Sequence, residues 1–148
     1  MSEKALPPIY VLLALAAMAA LHFLVPVCRY GSFPLTLTGV VPLVLGVLLN
    51  VTADRQFKTH ETTVKPFQHS SALVTAFPFS ISRNPMYLGL SLLLLGIALL
   101  LGTVAALAPV VVFPYVMDRI FIRTEEKMLA ETFGEEWEEY RARVRRWI

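Results

Sequence analysis

The motif Ser82-Arg83-Asn84-Pro85-Met86-Tyr87-Leu88-Gly89 combines a fixed cation with the start of a predicted helix. Pro85 is typical of a first helical turn, where backbone N–H groups have no partner within the helix. Such a turn favours an anion, because its N–H groups and the positive end of the helix dipole face outward. The motif therefore predicts a site where Arg83 binds an anion, most simply a carboxylate, through a forked pair of hydrogen bonds. The alternative is that Arg83 anchors the helix to lipid phosphate.

Two adjacent carboxylates, Glu125 and Glu126, are the second candidate for chemistry. Each follows an apolar residue, Phe121 or Ile122, by four positions, so on a helix both border the apolar face. Carboxylates in that position need donors or cations. The hydroxyl groups of a bound ligand could supply them, and so could side chains of the protein. The protein cations considered are Arg83, Arg119 and Lys127. A solvated pair on an amphipathic surface is the alternative.

The composition indicates that hydrophobic helices position these groups. Of the 148 residues, 56% are hydrophobic and 16% are charged, whereas soluble domains carry about 25% charged residues. The windows 5–28, 30–53 and 84–117 contain no Asp, Glu, Lys or Arg. A spanning helix needs about 20 apolar residues. The third window is long for one helix, so we interpret it as a hairpin that turns near Gly102 and Thr103.

We therefore predict an all-α integral membrane protein that forms a single domain over residues 1–148. A cytoplasmic loop covers residues 54–84, and amphipathic C-terminal helices cover residues 123–148, with a break or kink at Gly134. Residues 7–27 are interpreted as a retained helix and not as a cleaved signal, because the apolar run exceeds the length of a signal core. The predicted membrane spans, about four in number, are 7–27, 34–53, 85–101 and 104–122.

The distribution of positive charge predicts the orientation in the membrane. With four spans, every Lys and Arg except Arg29 falls on one side, together with all 11 acidic residues. The positive-inside rule then places both termini and the long loop in the cytoplasm. We expect the active site at that face, and a compact module of this kind is typical of a prokaryotic inner membrane.

The sequence also disfavours several function classes. A net charge of +2 is too small to indicate nucleic-acid binding. Cys28 is the single cysteine, and the three histidines lack metal-ligand spacing, so neither an internal disulfide nor a metal site is expected. The charge-free windows disfavour an ion channel or proton pump. All seven glycines look isolated, and no GxxxG motif occurs.

Four residues near the C-terminus, Trp137, Tyr140, Val144 and Trp147, recur at helical spacing beside several arginines. A helix with this stripe could lie on an anionic membrane surface. The other interpretation is a helix that packs against the protein and leaves its charges in solvent.

A set of short motifs over about residues 46–148 resembles the isoprenylcysteine carboxyl methyltransferase family, whose relatives include phospholipid N-methyltransferases. Each motif alone is weak, whereas their order and spacing in a small membrane protein are fairly specific. They are Thr62-Thr63-Val64-Lys65-Pro66, Leu73-Val74-Thr75, the motif around Arg83, Glu125-Glu126-Lys127-Met128-Leu129, Phe133-Gly134-Glu135-Glu136-Trp137-Glu138-Glu139-Tyr140 and Val144-Arg145-Arg146-Trp147.

The resemblance implies methyl transfer from S-adenosylmethionine to a lipophilic acceptor that enters from the membrane, with membrane lipids as neighbours. It assigns catalytic roles to Arg83, which would orient the acceptor or help bind the cofactor, and to Tyr87. Glu125 and Glu126 would bind ribose hydroxyls or the amino group of the cofactor. A carboxylate acceptor is favoured by Arg83, while an amine or thiol stays open. The implied cofactor-binding residues are Leu73, Val74, Thr75, Asn84, Pro85, Tyr87, Glu125 and Glu126.

One stretch departs from the family pattern. Relatives have Gly-Pro-Phe/Tyr-Arg shortly before the Arg83 motif, and this chain has Phe77-Pro78-Phe79-Ser80. A Phe in place of Gly removes a flexible turn position and could reshape or plug the cofactor pocket, and Ser80 stands where the relatives have an arginine. The alternative function is therefore a non-catalytic membrane scaffold or lipid-binding module that retains the fold.

Overall fold

The computed structural model describes residues 6–25, 28–30, 32–60 and 71–148. Its described residues form helices and connecting turns without a β-strand, which confirms the predicted all-α class. A 3₁₀ turn precedes α2 and another precedes α4, and a π-helical turn, Asp118–Ile122, joins α4 to α5. The helices are α1 (Pro7–Leu24), α2 (Val40–Thr59), α3 (Pro85–Leu101), α4 (Ala108–Met117), α5 (Arg123–Phe133) and α6 (Glu135–Arg143).

Three helical segments are long and apolar enough to cross a membrane: Pro7–Leu24, Leu35–Thr59 and Val104–Phe133. The remaining predicted span, 85–101, corresponds to α3, an apolar helix of 17 residues. The helix α2 continues to Thr59, beyond the span predicted to end near residue 53, and an ion pair of 2.6 Å between Asp54 and Lys58 supports its charged last turns. The motif at residues 62–66 lies outside the described residues.

Glycines allow α2 and α3 to pack closely along their length. Gly39, at the N-cap of α2, and Gly46 are seven residues apart, as are Gly89 and Gly96 on α3. A Cβ added to Gly96 would lie 2.6 Å from the Gly39 carbonyl oxygen, and one added to Gly89 would lie 2.8 Å from that of Gly46. Such contacts leave no room for a side chain, so these glycines form matched pairs and are not isolated as the sequence suggested.

The helix α3 is central in the bundle. The helix α2 packs along one side of it, and α1 and α4 pack against it and against each other. The turn between α3 and α4 occurs at Gly102, as predicted, where a left-handed φ of 68° ends α3. His22 in α1 and Thr103 form a hydrogen bond of 3.1 Å beside this turn.

A second apolar cluster joins the C-terminal helices to the segment before α3. Its buried members are Ala53, Val74, Phe79, Trp137 and Tyr140. The Tyr140 hydroxyl donates a hydrogen bond of 2.7 Å to the Phe79 carbonyl oxygen. This cluster places α5 and α6 against the start of α3.

The predicted aromatic stripe is wrong in one respect, because α6 ends at Arg143 and the rest of the chain is not helical. Trp137 and Tyr140 are only 2% and 3% exposed, so α6 packs against the protein through these rings. Trp147 packs instead on the apolar cluster that surrounds α3 and α4. The interpretation of a helix that packs against the protein through its apolar face is therefore supported for Trp137 and Tyr140.

Candidate functional site

A cavity of about 440 Å³ lies where α3 begins. Its walls come from the start of α1, the second half of α2, the segment before α3 and the C-terminal helices. Most of the lining is apolar, and a few polar side chains converge on it, an arrangement typical of small-molecule sites. The lining residues are Leu6, Pro7, Pro8, Asn50, Phe57, Ala72, Leu73, Val74, Phe79, Arg83, Asn84, Pro85, Met86, Tyr87, Leu90, Glu125, Glu126, Met128, Leu129, Thr132, Trp137 and Tyr140.

The cavity brings together the two charged motifs, which lie about forty residues apart in the chain. Arg83 donates from Nε and Nη2 to Glu126 Oε1 at 3.2 and 3.0 Å. The two side chains are only 9% and 12% exposed. The guanidinium of Arg83 thus binds a carboxylate of the protein itself, and each of the two buried charges has the other as its counterion.

The remaining Arg83 contacts hold the C-terminal segment. Its Nη1 donates to the backbone oxygens of Arg141 and Val144 at 3.1 and 2.6 Å. Its backbone N–H donates to the Arg145 oxygen at 3.0 Å. Asn84 Nδ2 donates to the Arg146 oxygen at 3.2 Å. The sequence predicted that the start of α3 binds an anion from outside the helix, and in the structure Arg83 and Asn84 bind backbone carbonyls of the C-terminal segment there.

Sequence reasoning missed Arg146, which is the second cation on Glu126. Its Nη2 donates to Glu126 Oε2 at 2.6 Å, and its Nη1 donates to Asp118 Oδ1 at 3.0 Å. These bonds raise the pKa of the Arg146 guanidinium above its ordinary value, mainly through Glu126. No local motif marks these contacts, because Arg146 lies 20 residues from Glu126 and 28 residues from Asp118 in the sequence.

The other two cations considered as partners of the carboxylates have different neighbours. The guanidinium of Arg119 lies over the Tyr115 ring, 5.1 Å from its centroid. Lys127 pairs with Glu131 at 3.8 Å on the exposed side of α5.

Glu125 has a separate environment from Glu126. The Tyr87 hydroxyl donates a hydrogen bond of 2.9 Å to Glu125 Oε1. In the described part of the chain, this is the single hydrogen bond to the Glu125 carboxylate, so Oε2 keeps its full accepting capacity. The Tyr87 ring packs against Phe121 with centroids 6.1 Å apart, which orients the hydroxyl.

Seven of the eight residues expected at the cofactor line the cavity, and Arg83 lines it as well. Thr75 is exposed and does not line it. Phe77 is 53% exposed and lies outside the lining, so it does not plug the cavity. Phe79, two residues further on, is buried and forms part of the wall.

Comparisons with known proteins identify the family. A sequence model of the phospholipid methyltransferase family matches residues 35–136, more than half of the chain. An uncharacterised protein of Haemophilus influenzae is 41% identical over 63 residues, which are 43% of this chain and 100% of that protein. The phosphatidyl-N-methylethanolamine N-methyltransferase of Saccharomyces cerevisiae is 49% identical over 61 residues, 41% of this chain and 29% of the yeast enzyme.

A solved structure supports the fold. The eukaryotic intramembrane Ras methyltransferase, isoprenylcysteine carboxyl methyltransferase, superposes with a TM-score of 0.64 at 22% identity, over 93% of this chain and 50% of that one. The chain thus spans half of that enzyme and less than a third of the yeast enzyme. Together these matches confirm the resemblance seen in the motifs, and the chain belongs to the phospholipid methyltransferase family of all-α integral membrane proteins.

Proposed function

We propose that this protein transfers a methyl group from S-adenosylmethionine to a lipophilic acceptor that enters the cavity from the membrane. The observation that carries the proposal is the cavity itself, because both charged motifs of the family resemblance line one space at the start of α3. The rival interpretation, a non-catalytic scaffold, was favoured by Phe77 and Ser80, and both residues are exposed and lie outside that space.

The lining residues fit the chemistry of the cofactor. A volume of about 440 Å³ is in the range of cofactor sites. Apolar and aromatic side chains, among them Leu73, Phe79 and Trp137, suit an adenine ring. The free carboxylate oxygen of Glu125 is left for the acceptor head group in this proposal, because its other oxygen already accepts from Tyr87. When bound, S-adenosylmethionine supplies a methyl group on a positively charged sulfur, which a nucleophile displaces in line.

We assign different tasks to the two carboxylates. Glu125 faces the ligand and stabilises positive charge in the apolar cavity, where an electrostatic interaction is stronger than in water. Tyr87 fixes the direction of that carboxylate through its hydroxyl. Glu126 binds Arg83 and Arg146 and holds the wall in place. In this assignment Glu126 acts as a positioning residue.

The acceptor that we propose is an amine head group on a lipid. The preference for a carboxylate depended on Arg83, and its guanidinium is bonded to Glu126 and two carbonyls. The charge left facing the cavity is that of Glu125, which attracts a cationic head. The name of the yeast relative gives a substrate of this class, phosphatidyl-N-methylethanolamine.

The proposed step requires a base and an oriented nitrogen. An ammonium head loses one proton to the Glu125 carboxylate, which exposes the lone pair of the nitrogen. The nitrogen then forms a bond to the methyl carbon as the carbon–sulfur bond breaks, with its electron pair left on sulfur. The apolar walls exclude water, so orientation of the two reactants supplies much of the rate enhancement.

We also propose that the cavity faces the cytoplasm and that residues 1–148 act as one module in a prokaryotic inner membrane. The support is the charge distribution in the sequence, because with four spans every Lys and Arg except Arg29 falls on the same side as the two charged motifs. The cofactor is water-soluble and would reach the site from that side.

The test compares Glu125→Gln with Glu131→Gln, a matched change on the exposed side of the same helix. Binding of S-adenosylhomocysteine is measured by isothermal titration of the detergent-purified protein. Transfer of labelled methyl is measured with ethanolamine lipids and with a prenylated cysteine carboxylate. We expect wild type and Glu131→Gln to bind S-adenosylhomocysteine and to methylate the amine lipid, and Glu125→Gln to lose at least tenfold in transfer.

Folded wild-type protein that binds no S-adenosylhomocysteine would overturn the proposal in favour of the scaffold. Methylation of the prenylated carboxylate alone would overturn the amine acceptor and keep the methyltransferase.

A further inference from the structure

A polar side chain on α2, Asn50, stands apart from the charged motifs of the site. It is the one Asn or Gln side chain in the four apolar spans predicted from the sequence. It precedes Asp54, the first charged residue of α2, by one helical turn, which places it about 6 Å deeper along the helix axis. A polar group at such a depth is costly and usually has a functional reason.

The hydrogen bond of Asn50 does not link α2 to a neighbouring helix. Its Nδ2 donates a hydrogen bond of 2.9 Å to the Gly46 carbonyl oxygen, which belongs to the same helix. Polar residues that stabilise helix pairs in membranes bond across to the partner helix instead. Within the described part of the chain, the amide oxygen of Asn50 has no hydrogen-bond partner.

The side chain of Asn50 is held in a fixed place against α3. A Cβ added to Gly89 would collide with the Asn50 amide nitrogen, so the missing side chain of Gly89 leaves the room that the amide occupies. Asn50 also lines the cavity, on the α2 wall. Tyr87 and Glu125 belong to the wall formed by α3 and α5, and the apolar side chains of Met86 and Leu90 also line the space.

We propose that Asn50 is a specificity-determining residue, which accepts a hydrogen bond from an N–H group of the acceptor head. The proposal rests on the amine acceptor proposed above. An amide oxygen accepts a hydrogen bond from an N–H group but not from an N–CH₃ group, so the contact requires that the nitrogen keeps at least one hydrogen. Each methyl transfer replaces one N–H by N–CH₃. A trimethylated head has no N–H left and loses the contact, which favours its release.

The test measures head-group selectivity by binding, without cofactor or turnover. The full-length protein in detergent is titrated with short-chain phospholipids that differ only in carrying an ethanolamine, a dimethylethanolamine or a choline head. We compare wild type with Asn50→Leu, which keeps the size and removes the amide. The matched control is Thr52→Val, because Thr52 also bonds to its own helix but does not line the cavity.

In wild type we expect the ethanolamine and dimethylethanolamine lipids to bind about tenfold more tightly than the choline lipid, the usual effect of a hydrogen bond to a charged group. Asn50→Leu should remove this preference and leave choline-lipid binding, S-adenosylhomocysteine binding and thermal unfolding unchanged. Thr52→Val should behave as wild type.

Equal loss of all three lipids, or retained selectivity in Asn50→Leu, would overturn the role of Asn50. Asn50→Asp is a second variant that keeps an acceptor oxygen, and loss of selectivity there would also count against it. Failure of the proposed function has a different signature, namely wild type that binds amine lipids selectively but transfers no methyl group to them.

Discussion

The buried ion pair of Arg83 and Glu126 gives the sharpest energetic prediction. Glu126→Ala removes the carboxylate and leaves Arg83, whose side chain is 9% exposed, with two backbone oxygens and the face of the Trp137 ring as partners but no counterion. Breaking a buried pair in this way costs about 3–5 kcal/mol, because one charge stays desolvated without its counterion. The two carbonyl contacts of Arg83 remain, so we expect a loss near the lower end, about 3 kcal/mol.

The interaction itself is measured by a double-mutant cycle. The cycle combines Glu126→Ala with Arg83→Met and follows the free energy of unfolding in mixed micelles by denaturant titration. We expect a coupling of about 2 kcal/mol between Arg83 and Glu126. For Arg146 and Glu126 we expect less, about 1 kcal/mol, because Arg146 is 34% exposed and keeps Asp118 as a partner.

A matched exposed pair on the same helix sets the scale for refutation. Lys127 and Glu131 are 77% and 62% exposed and lie 3.8 Å apart, so their coupling should be at most about 0.5 kcal/mol. If the coupling between Arg83 and Glu126 is no larger than that of the exposed pair, the pair is not the desolvated contact described above. The role of Glu126 as an internal anchor would then fail.

Two further predictions concern the close contact of α2 with α3 and the lining of the cavity. Gly96→Val should destabilise the fold by about 1–3 kcal/mol, since its Cβ would lie 2.6 Å from the Gly39 carbonyl oxygen and α2 must move away. Thermal unfolding measures this loss, with Val111→Ala at an exposed site as the control. Equal melting temperatures for wild type and Gly96→Val would refute the close approach of the two helices. Phe77→Gly should leave S-adenosylhomocysteine affinity unchanged, whereas Phe79→Ala should weaken it severalfold, because only Phe79 of the two lines the cavity. Isothermal titration measures both affinities. Tighter binding by Phe77→Gly would support the hypothesis that Phe77 blocks the pocket.

The membrane architecture could be predicted because the bilayer imposes a strong constraint on sequence. Every backbone polar group in the hydrocarbon region must be bonded internally, so helices of sufficient apolar length are required. The charge-free windows therefore located the helices without any knowledge of packing. The pairing of α2 with α3 was missed, although glycines seven residues apart occur on both helices. Each glycine looked isolated, since the signal lies in the match between two distant segments.

The ion network at the site was harder to predict, because it depends on a chain that leaves helical geometry. If the helix continued through Trp147, the helical period of 3.6 residues would set the direction of the Arg146 side chain. In the structure α6 ends at Arg143, and the extended backbone that follows brings Arg146 to Glu126 and Asp118. Nothing in the local sequence marks this ending clearly, since Val144 is compatible with a helix. Tertiary hydrogen bonds from Arg83 and Asn84 to this segment compete with helix formation and determine its path.

The adjacent glutamates show why a motif cannot assign roles residue by residue. Successive side chains on a helix point about 100° apart, so two neighbours of the same type meet different surroundings. Glu126 has both oxygens bonded to guanidinium groups, while Glu125 has one bond from a tyrosine and an oxygen available for a ligand. A ligand that recruited Glu126 would have to displace an arginine from a buried partner, which costs more than binding the available oxygen of Glu125. The different roles of the two carboxylates therefore follow from their partners. Because displacing an arginine from Glu126 costs more free energy than binding the available oxygen of Glu125, we predict that a ligand binds Glu125.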